Sequence, residues 1–293
     1  MSSTETAIGG RAPITVPAIR NRKVRSGTEP LVMVTAYDAP SARIADEAGV
    51  DMILVGDSVA MVVLGYEDTL QVSVADLAHH TAAVARAKPR PLVVADLPWM
   101  SYHLSREDTV RNAATLIRAG AEAVKLEGGR KRVAMVEALV DAEIPVMGHL
   151  GLTPQSVHAM GGFKVQAKDT DAAMALVADA KALEHAGCFA IVLEGVPTEV
   201  ADLVTDSVDV PTIGIGAGAG CDGQVLVYHD VLGMEDRIAP KFVRRYADVK
   251  AASVAAISAY AGDVRNGSFP GPAESYHLAS GVAETLGLYG RDA

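Results

Sequence analysis

Two short apolar stretches, PLVVADLP at residues 91–98 and AEAVKLEGG at residues 121–129, indicate how this chain folds. Each is rich in valine, leucine and alanine over a few positions and ends in an acidic residue. Such runs are typical of strands that are buried on both faces. The segment between them, Ser105–Ala119, has the pattern of a helix and is followed by Gly120, a favourable helix C-cap. Together they predict a strand–helix–strand unit with parallel strands.

The same alternation repeats along the chain. Alanine-rich helical segments such as Ser73–Ala87 and Asp169–Ala186 separate short apolar runs. Eight such repeats favour a closed (β/α)8 TIM barrel over an open doubly wound sheet, so we expect an α/β fold of this kind. The eight predicted strands are Leu31–Tyr37, Met52–Val55, Leu92–Ala95, Ala123–Leu126, Pro145–Met147, Ala190–Leu193, Pro211–Ile215 and Val225–Tyr228.

The chain shows no proline- or serine-rich linker between its ends. We therefore expect a single catalytic barrel domain over residues 29–277, including a C-terminal helix, because one barrel fills roughly 250 residues. Residues 1–28, rich first in small and then in basic residues, are expected to form a mobile arm that ends in a short surface helix or loop. Residues 278–293 are expected to form a C-terminal tail.

The composition excludes several classes of protein. The 36 acidic and 26 basic side chains give a net charge of −10, and 4% of the residues are aromatic, which argues against nucleic-acid binding. The two cysteines, Cys188 and Cys221, can form neither a disulfide framework nor a zinc site and suit a reducing compartment. No apolar run is long enough for a membrane span, and no secretory signal is recognisable. We expect a cytoplasmic protein.

Charged residues follow the predicted strands at one end of the barrel. Asp57, Asp96 and Glu127 come after three successive strands, and Glu194 ends the sixth. Lys125 lies two positions before Glu127, so both side chains point to the same side. The carboxyl ends of barrel strands form the face on which barrel enzymes build active sites. Acids that converge there without a histidine or cysteine cluster indicate a hard cation, Mg²⁺ by default.

A structural interpretation competes with the metal site, because a strand-end aspartate often caps the next helix. Asp38, before Ala39 and Pro40, fits that interpretation and is left out of the site. His149 is ambiguous, because a single histidine at a strand end is more often structural than catalytic. Three acids after three successive strands favour metal binding.

The glycine-rich run Gly214–Gly220 loosely matches a dinucleotide-binding loop. It follows the seventh predicted strand rather than the first, so the match is weak, and tight packing of the loop explains the glycines equally well. A P-loop motif for ATP is absent from the sequence.

These motifs together resemble the ketopantoate hydroxymethyltransferase (3-methyl-2-oxobutanoate hydroxymethyltransferase) family from about residue 30 to residue 277. The segments that carry the resemblance are TAYD (35–38), VGDS (55–58), ADLP (95–98), VKLEGG (124–129), GHLGLTPQSV (148–157), GGFKVQ (161–166), GIGAG (214–218) and DGQVLV (222–227).

The resemblance implies a barrel of the phosphoenolpyruvate/pyruvate type. It implies transfer of a hydroxymethyl group from the co-substrate 5,10-methylenetetrahydrofolate to 3-methyl-2-oxobutanoate, giving 2-dehydropantoate (ketopantoate) in pantothenate and coenzyme A biosynthesis. One Mg²⁺ per subunit would lie among Asp57, Asp96 and Glu127. Asp57, Ser58, Asp96 and Lys125 would surround the keto acid, and Glu194 would accept the proton. The resemblance assigns no folate-binding residue, and it suggests a homo-oligomer, commonly a decamer.

The sequence departs from the family pattern in a few places. Gly195 stands where many members have cysteine, Ala167-Lys168 replaces the usual Gly-Arg, and the segment from Glu274 to His277 only approximates the usual ending.

The rival interpretations are another Mg²⁺-dependent, enolate-forming lyase or aldolase of the same barrel group, a nicotinamide-dependent oxidoreductase, and a non-catalytic scaffold. A Lys-Lys-Cys-Gly-His loop typical of isocitrate lyases is absent from the sequence.

Overall fold

The computed structural model describes residues 12–24, 27–234, 240–279 and 281–288. The chain divides into two compact units, Met1–Arg245 and Tyr246–Ala293. All eight barrel strands lie in the first unit, and the expected boundaries at residues 1–28, 29–277 and 278–293 stay a prediction. Much of the expected arm and part of the expected tail, residues 1–11, 25–26, 280 and 289–293, lie outside the described residues.

The first unit is a closed barrel of eight parallel strands in sequential order, and β1 pairs with β8 to complete it. The predicted fold is confirmed. The strands are β1 (Leu31–Thr35), β2 (Met52–Val55), β3 (Leu92–Asp96), β4 (Ala123–Glu127), β5 (Val146–Gly151), β6 (Ala190–Glu194), β7 (Thr212–Ile215) and β8 (Gly223–Leu226).

In the first unit a short helix precedes β1, and further helices follow the strands: α1 (Val16–Arg20), α2 (Ala39–Glu47), α3 (Val59–Val62), α4 (Val74–Ala85), α5 (Arg106–Arg118), α6 (Val133–Asp141), α7 (Val157–Met160), α8 (Thr170–His185), α9 (Thr198–Ser207) and α10 (Tyr228–Leu232). The second unit contains α11 (Val249–Asn266) and α12 (Val282–Thr285). In the described part of the chain, no helix combines the length and the apolar character that a membrane span needs.

Side-chain caps begin several of these helices. Asp38 Oδ1 accepts a hydrogen bond from the Ser41 backbone N–H at 2.8 Å, so Asp38 caps α2 as the structural interpretation predicted. Ser73 and Ser105 cap α4 and α5 in the same way. These caps set where each helix starts after its strand, and so they fix the loops that border the open end of the barrel.

The core has two layers. One lies between the strands and the surrounding helices, with fully buried residues such as Ile53, Leu77 and Leu116. The other fills the barrel interior, where Met52 and Met147 are completely buried. Strands covered on both faces carry apolar residues at nearly every position, which is why the sequence shows continuous runs and not alternation.

The N-terminal segment belongs to the barrel over its described part, in contrast to the expected mobile arm. Ile19 is 1% exposed and packs with the residues that fill the barrel interior. The Lys23 ammonium is buried, pairs with Asp222 at 2.8 Å, and donates hydrogen bonds to the carbonyl oxygens of Thr205 and Val210. Residues 16–23 are therefore a fixed part of the fold.

Replacing Lys23 by methionine is expected to lower the free energy of unfolding by about 3 kcal/mol, because it leaves the buried Asp222 carboxylate without its cation. Urea denaturation followed by circular dichroism measures the change. Lys181→Met, on an exposed position of α8, is the matched control. Equal stability of both variants would contradict a role for the ion pair.

The second unit contains α11, which begins at the capping residue Asp248 and ends at Gly267 in the left-handed conformation. Within this unit considered by itself, α11 buries none of its side chains. Val254, Ile257 and Tyr260 are each more than half exposed. The helix thus presents apolar residues that its own unit does not cover.

Candidate active site

The open end of the barrel contains a cavity of about 790 Å³ at the carboxyl ends of the strands. It is lined by every residue that we expected to bind metal or substrate or to accept the proton: Asp57, Ser58, Asp96, Lys125, Glu127 and Glu194. The structure therefore brings these residues together in one place. Their roles remain predictions.

The strand register explains why the charged residues meet. Asp96 on β3 is the register partner of Lys125 on β4, and Glu127 on β4 is the partner of His149 on β5. Partners in parallel strands point to the same face, so both pairs project into the barrel mouth. Glu194, at the end of β6, reaches the same space from the other side of His149.

Asp96 and Lys125 form a buried ion pair, with Asp96 Oδ1 2.8 Å from Lys125 Nζ. Burial by itself would lower the pKa of Lys125, but the charges of Asp96, Glu127 and Asp57 outweigh it and raise the pKa above its usual value. Lys125 therefore keeps its positive charge in the absence of water, and the cavity contains a fixed cation for an anionic substrate.

Asp57 is the carboxylate in the least favourable surroundings. Burial raises its pKa well above the usual value, and the negative charges of Asp96 and Glu127 raise it further. Among the described residues, two protein cations at most, Lys125 and His149, face the four carboxylates of the predicted site. A further cation bound beside Asp57 would relieve this repulsion.

The donor chemistry of these three carboxylates suits Mg²⁺, which prefers oxygen ligands. Among the residues that the structure describes, however, no three acidic, histidine or cysteine side chains form a ready-made metal cluster. Protein donors hold the oxygens instead, because Lys125 pairs with Asp96 and Gln155 Nε2 donates to Asp57 Oδ2 at 2.9 Å. The site fits the ion in chemical type and in charge, and these protein donors orient the carboxylates within it.

His149 connects the two ends of the site. Its Nδ1 lies 3.3 Å from Glu127 Oε1 and its Nε2 lies 3.1 Å from Glu194 Oε2. Burial and the nearby Lys125 would lower its pKa, but the contacts with Glu127 and Glu194 prevail and raise the pKa to about 9. The sequence left this residue ambiguous. His149 lies in the site because it is the register partner of Glu127 in the pairing of β5 with β4.

Sequence reasoning missed Gln155 and Tyr102. Gln155 is 5% exposed and follows β5 in a short 3₁₀ turn, Pro154–Ser156. Its side chain contacts Asp57, and its backbone N–H donates to Glu127 Oε2 at 3.0 Å. The loop that carries Tyr102 follows β3, and the Tyr102 hydroxyl contacts Gln155. Neither residue stands at a strand end, so the strand pattern does not reveal them.

Ser58 lies at the side of the cavity, and its Oγ is 2.9 Å from the hydroxyl oxygen of Tyr37. Ser58 directly follows Asp57 in the turn before α3. Ser58 is partly exposed to the cavity, so its hydroxyl can contact a ligand bound there.

The glycine-rich run after β7 is explained by close packing. A Cβ atom at Gly216 would lie 2.6 Å from the ring of Phe242, and one at Gly218 would collide with Thr198. Gly216 also has φ +62°, a conformation that glycine adopts at little cost. The glycines therefore have a structural reason that does not require a nucleotide, as the packing interpretation predicted.

One departure from the family pattern has a conformational consequence. Ala167, where the family usually has glycine, adopts φ +55°. This left-handed conformation costs a non-glycine residue roughly 1–2 kcal/mol. Ala167→Gly is expected to raise the free energy of unfolding by about 0.5–1 kcal/mol, after the larger chain entropy of glycine is subtracted. Urea denaturation would show this, and a loss of stability would contradict the assigned strain.

Solved structures share this fold at low sequence identity. Phosphoenolpyruvate phosphomutase from Streptomyces platensis subsp. rosaceus aligns with a TM-score of 0.57 and 16% identity over 94% of this chain and 96% of that one. A 2,3-dimethylmalate lyase, of the PEP mutase/isocitrate lyase superfamily, aligns with a TM-score of 0.56 and 18% identity over 93% and 96% of the two chains. These neighbours share the (β/α)8 barrel fold.

Curated relatives are much more similar in sequence. The 3-methyl-2-oxobutanoate hydroxymethyltransferase 2 of Bradyrhizobium diazoefficiens is 57% identical over 265 residues, which are 90% of each chain. The 3-methyl-2-oxobutanoate hydroxymethyltransferase of a Methylobacterium strain is 58% identical over 256 residues, 87% of this chain and 89% of that one. The family model described as ketopantoate hydroxymethyltransferase matches residues 13–272. With most of its length matched at this identity, the chain belongs to the ketopantoate hydroxymethyltransferase family.

Proposed function

We propose that the cavity performs the hydroxymethyl transfer of this family with one Mg²⁺ per subunit and a glutamate base. In this reaction 3-methyl-2-oxobutanoate receives a hydroxymethyl group, with 5,10-methylenetetrahydrofolate as donor, and 2-dehydropantoate and tetrahydrofolate are formed. The supporting observation is the convergence of three buried carboxylates, one lysine and Glu194 in a single cavity.

Asp57, Asp96 and Glu127 would hold the Mg²⁺, because they supply the oxygen donors and the unbalanced negative charge that the ion requires. When bound, Mg²⁺ supplies a Lewis acid that withdraws charge from the keto oxygen of the substrate. Lys125 holds the second fixed positive charge 2.8 Å from Asp96 and would stabilise the oxyanion that develops at the same oxygen.

The keto acid would lie among Asp57, Ser58, Asp96 and Lys125, which border the inner end of the cavity. Lys125 would attract the substrate carboxylate, and the Ser58 hydroxyl, oriented by Tyr37, would donate a hydrogen bond to it. This position directs the C3 carbon of the substrate towards β6.

Glu194 would accept the C3 proton. Its side chain is 15% exposed and reaches the cavity, and Oε2 lies beside His149 Nε2. A positioned general base contributes typically 10²–10⁴-fold to the rate. The resulting enolate carbon then bonds to the one-carbon unit, both bonds of that unit to N5 and N10 of the folate break, and the oxygen of one water molecule becomes the new hydroxyl group. The C3 proton and one proton of the water end on N5 and N10, which gives tetrahydrofolate.

A proton NMR assay tests the reaction. We expect loss of the C3 methine signal and growth of a hydroxymethyl signal when the protein is mixed with 3-methyl-2-oxobutanoate, 5,10-methylenetetrahydrofolate and Mg²⁺, and no change after addition of a chelator. Methine exchange without product would instead support a lyase or aldolase of the same barrel group. Saturable binding of NADH in a fluorescence titration would support the oxidoreductase.

We also propose a homo-oligomer, as the family resemblance suggests, and a cytoplasmic location. The exposed apolar residues of α11, such as Ile257 at 67% exposure, support contacts with another copy. The two buried cysteines, Cys188 and Cys221, are unpaired with each other, which suits a reducing compartment. Sedimentation velocity measures the assembly: a decamer is expected, and a monomer would contradict the proposal.

A further inference from the structure

The cavity is much larger than the keto acid needs. Its volume of about 790 Å³ lies in the range of roughly 300–1,000 Å³ that suits a drug-sized ligand. The charged residues at the inner end account for only part of the lining. Towards the mouth the wall is apolar and includes Met61, Val62 and Val165. The outer part of the cavity therefore has room and chemistry for a second, larger molecule.

Two of the four phenylalanines of the chain lie at this mouth. Phe163 is 53% and Phe242 is 38% exposed, whereas Phe189 is buried in the barrel interior. The Phe242 ring rests on the backbone of Gly216, which leaves no room there for a side chain. Exposed aromatic rings at a cavity rim are poised to stack on a planar ligand.

The loop that carries Phe163 is tied to the strand of the proposed base. The Gln166 backbone N–H donates to the Gly195 carbonyl oxygen at 2.9 Å, and Gly195 directly follows Glu194. The Gln166 side chain donates back to the Lys164 carbonyl oxygen at 2.8 Å. The loop of Phe163 and the end of β6 therefore border the same cavity.

The rim also carries complementary charges. Lys164 and Lys241 line the mouth, and both are exposed. A folate has a flat pteridine, a second aromatic ring and a glutamate tail with two carboxylates. The aromatic rings of such a ligand match Phe163 and Phe242, and its carboxylates match the two lysines.

We propose that the outer cavity is the folate subsite, with Phe163 and Phe242 stacking on the aromatic part and Lys164 and Lys241 pairing with the glutamate tail. This inference rests on the proposed function, because it assumes a folate co-substrate. It goes further by assigning residues to that co-substrate.

Substrate affinities of point variants test the subsite. Phe163→Leu and Phe242→Leu are expected to raise the KM for 5,10-methylenetetrahydrofolate about 10-fold, since stacking is worth roughly 1–1.5 kcal/mol. Lys164→Met and Lys241→Met are expected to raise it by a smaller factor, with more effect at low salt. In the two phenylalanine variants the change in folate KM should exceed the change in keto-acid KM at least 5-fold. Lys181→Met and Phe269→Leu, outside the cavity lining, serve as controls.

Assays of the wild-type protein distinguish failure of the proposed subsite from failure of the proposed function. If wild type forms 2-dehydropantoate and the rim variants keep its folate KM within 2-fold, the subsite is wrong although the proposed function stands. Equal changes in both KM values would also overturn the subsite, because they would indicate a general distortion. If wild type neither forms product nor binds tetrahydrofolate in a calorimetric titration, the proposed function itself fails.

A second, independent observation concerns Gln155, which contacts two of the proposed metal ligands at once. Its Nε2 donates to Asp57 Oδ2 at 2.9 Å and to the Leu97 carbonyl oxygen at 3.0 Å. Its backbone N–H donates to Glu127 Oε2 at 3.0 Å. Carboxylates from two different strand ends are thereby held by one residue.

Tyr102 fixes which way the Gln155 amide points. The Tyr102 hydroxyl donates to Gln155 Oε1 at 2.6 Å and accepts a hydrogen bond from the Glu127 backbone N–H at 3.3 Å. With Oε1 occupied by a donor, the amide must direct its N–H groups towards Asp57. We infer that Gln155 is a positioning residue, oriented by Tyr102, that sets the spacing of Asp57 and Glu127 for the cation.

Calorimetric titration of Mg²⁺ into the protein without substrates tests this role. Gln155→Leu is expected to weaken Mg²⁺ binding 10–100-fold, as the loss of groups that orient metal ligands typically does. Tyr102→Phe should weaken it less, because the Gln155 side chain can still donate to Asp57 although it loses the hydrogen bond from Tyr102. Gln71→Leu, at an exposed glutamine, is the control. Mg²⁺ affinity within 2-fold of wild type in Gln155→Leu, with only the thermal stability reduced, would overturn the inference.

Discussion

Replacement of Glu194 by glutamine is expected to lower kcat about 10²–10⁴-fold while Mg²⁺ and the keto acid still bind. The amide keeps the shape of the side chain but cannot accept a proton. Glu194 lies at the end of β6, and its Oε2 is 3.1 Å from His149 Nε2, so its replacement should leave the inner carboxylates in place. Steady-state kinetics and calorimetric titration of the keto acid measure the two effects separately.

Glu137→Gln, at an exposed position of α6, controls for the loss of a carboxylate elsewhere on the protein. It should retain wild-type kinetics. If Glu194→Gln loses keto-acid binding together with turnover, Glu194 is a substrate-binding or structural residue and not the base.

Asp96→Asn is expected to weaken Mg²⁺ binding strongly and to lower kcat/KM about 10³-fold, which corresponds to roughly 4 kcal/mol of lost charge stabilisation. The asparagine can still accept the hydrogen bond that the Asp57 backbone N–H donates to Asp96 Oδ2 at 3.0 Å. It cannot balance the charge of Lys125, whose ammonium lies 2.8 Å from Asp96 Oδ1. Calorimetric titration of Mg²⁺ measures the affinity.

The control is Asp171→Asn, at an exposed position in the first turn of α8. Unchanged Mg²⁺ affinity in Asp96→Asn would assign Asp96 to a structural role, as the partner of Lys125 and of the Asp57 backbone. The proposed metal site would then have to be sought among other carboxylates.

Strand-end residues could be predicted from the sequence because a buried parallel strand leaves a clear signal. A continuous apolar run locates the strand, and the first polar residue after it must lie at the barrel mouth. Asp57, Asp96 and Glu194 were found in this way. Lys125 followed from the two-residue period, which places it on the same side as Glu127.

Residues outside regular strands leave no comparable signal. Gln155 acts from a 3₁₀ turn, so its contact with Asp57 follows from loop geometry that no periodicity encodes. The sequence placed the end of the fifth strand at Met147, but β5 continues to Gly151, because glycines and a histidine at its end do not resemble an apolar run. From the sequence, His149 is therefore a residue at a strand end whose role is ambiguous.

The N-terminal segment shows a second limit of prediction from local sequence. The basic residues before residue 26 suggest a solvated surface in the sequence, yet the Lys23 ammonium is buried against Asp222. These two residues are 199 positions apart, so only the closed barrel brings them together. A buried ion pair between distant segments is a tertiary feature that local composition does not reveal.

The most direct test of the Mg²⁺-dependent enolate mechanism is the exchange of the C3 proton of 3-methyl-2-oxobutanoate with D₂O, followed by proton NMR without folate. We expect wild-type protein to catalyse this exchange only with Mg²⁺ present, and Glu194→Gln to be slower by at least about 10²-fold. Exchange at the buffer rate in folded, Mg²⁺-loaded wild type, or undiminished exchange in Glu194→Gln, would contradict the mechanism.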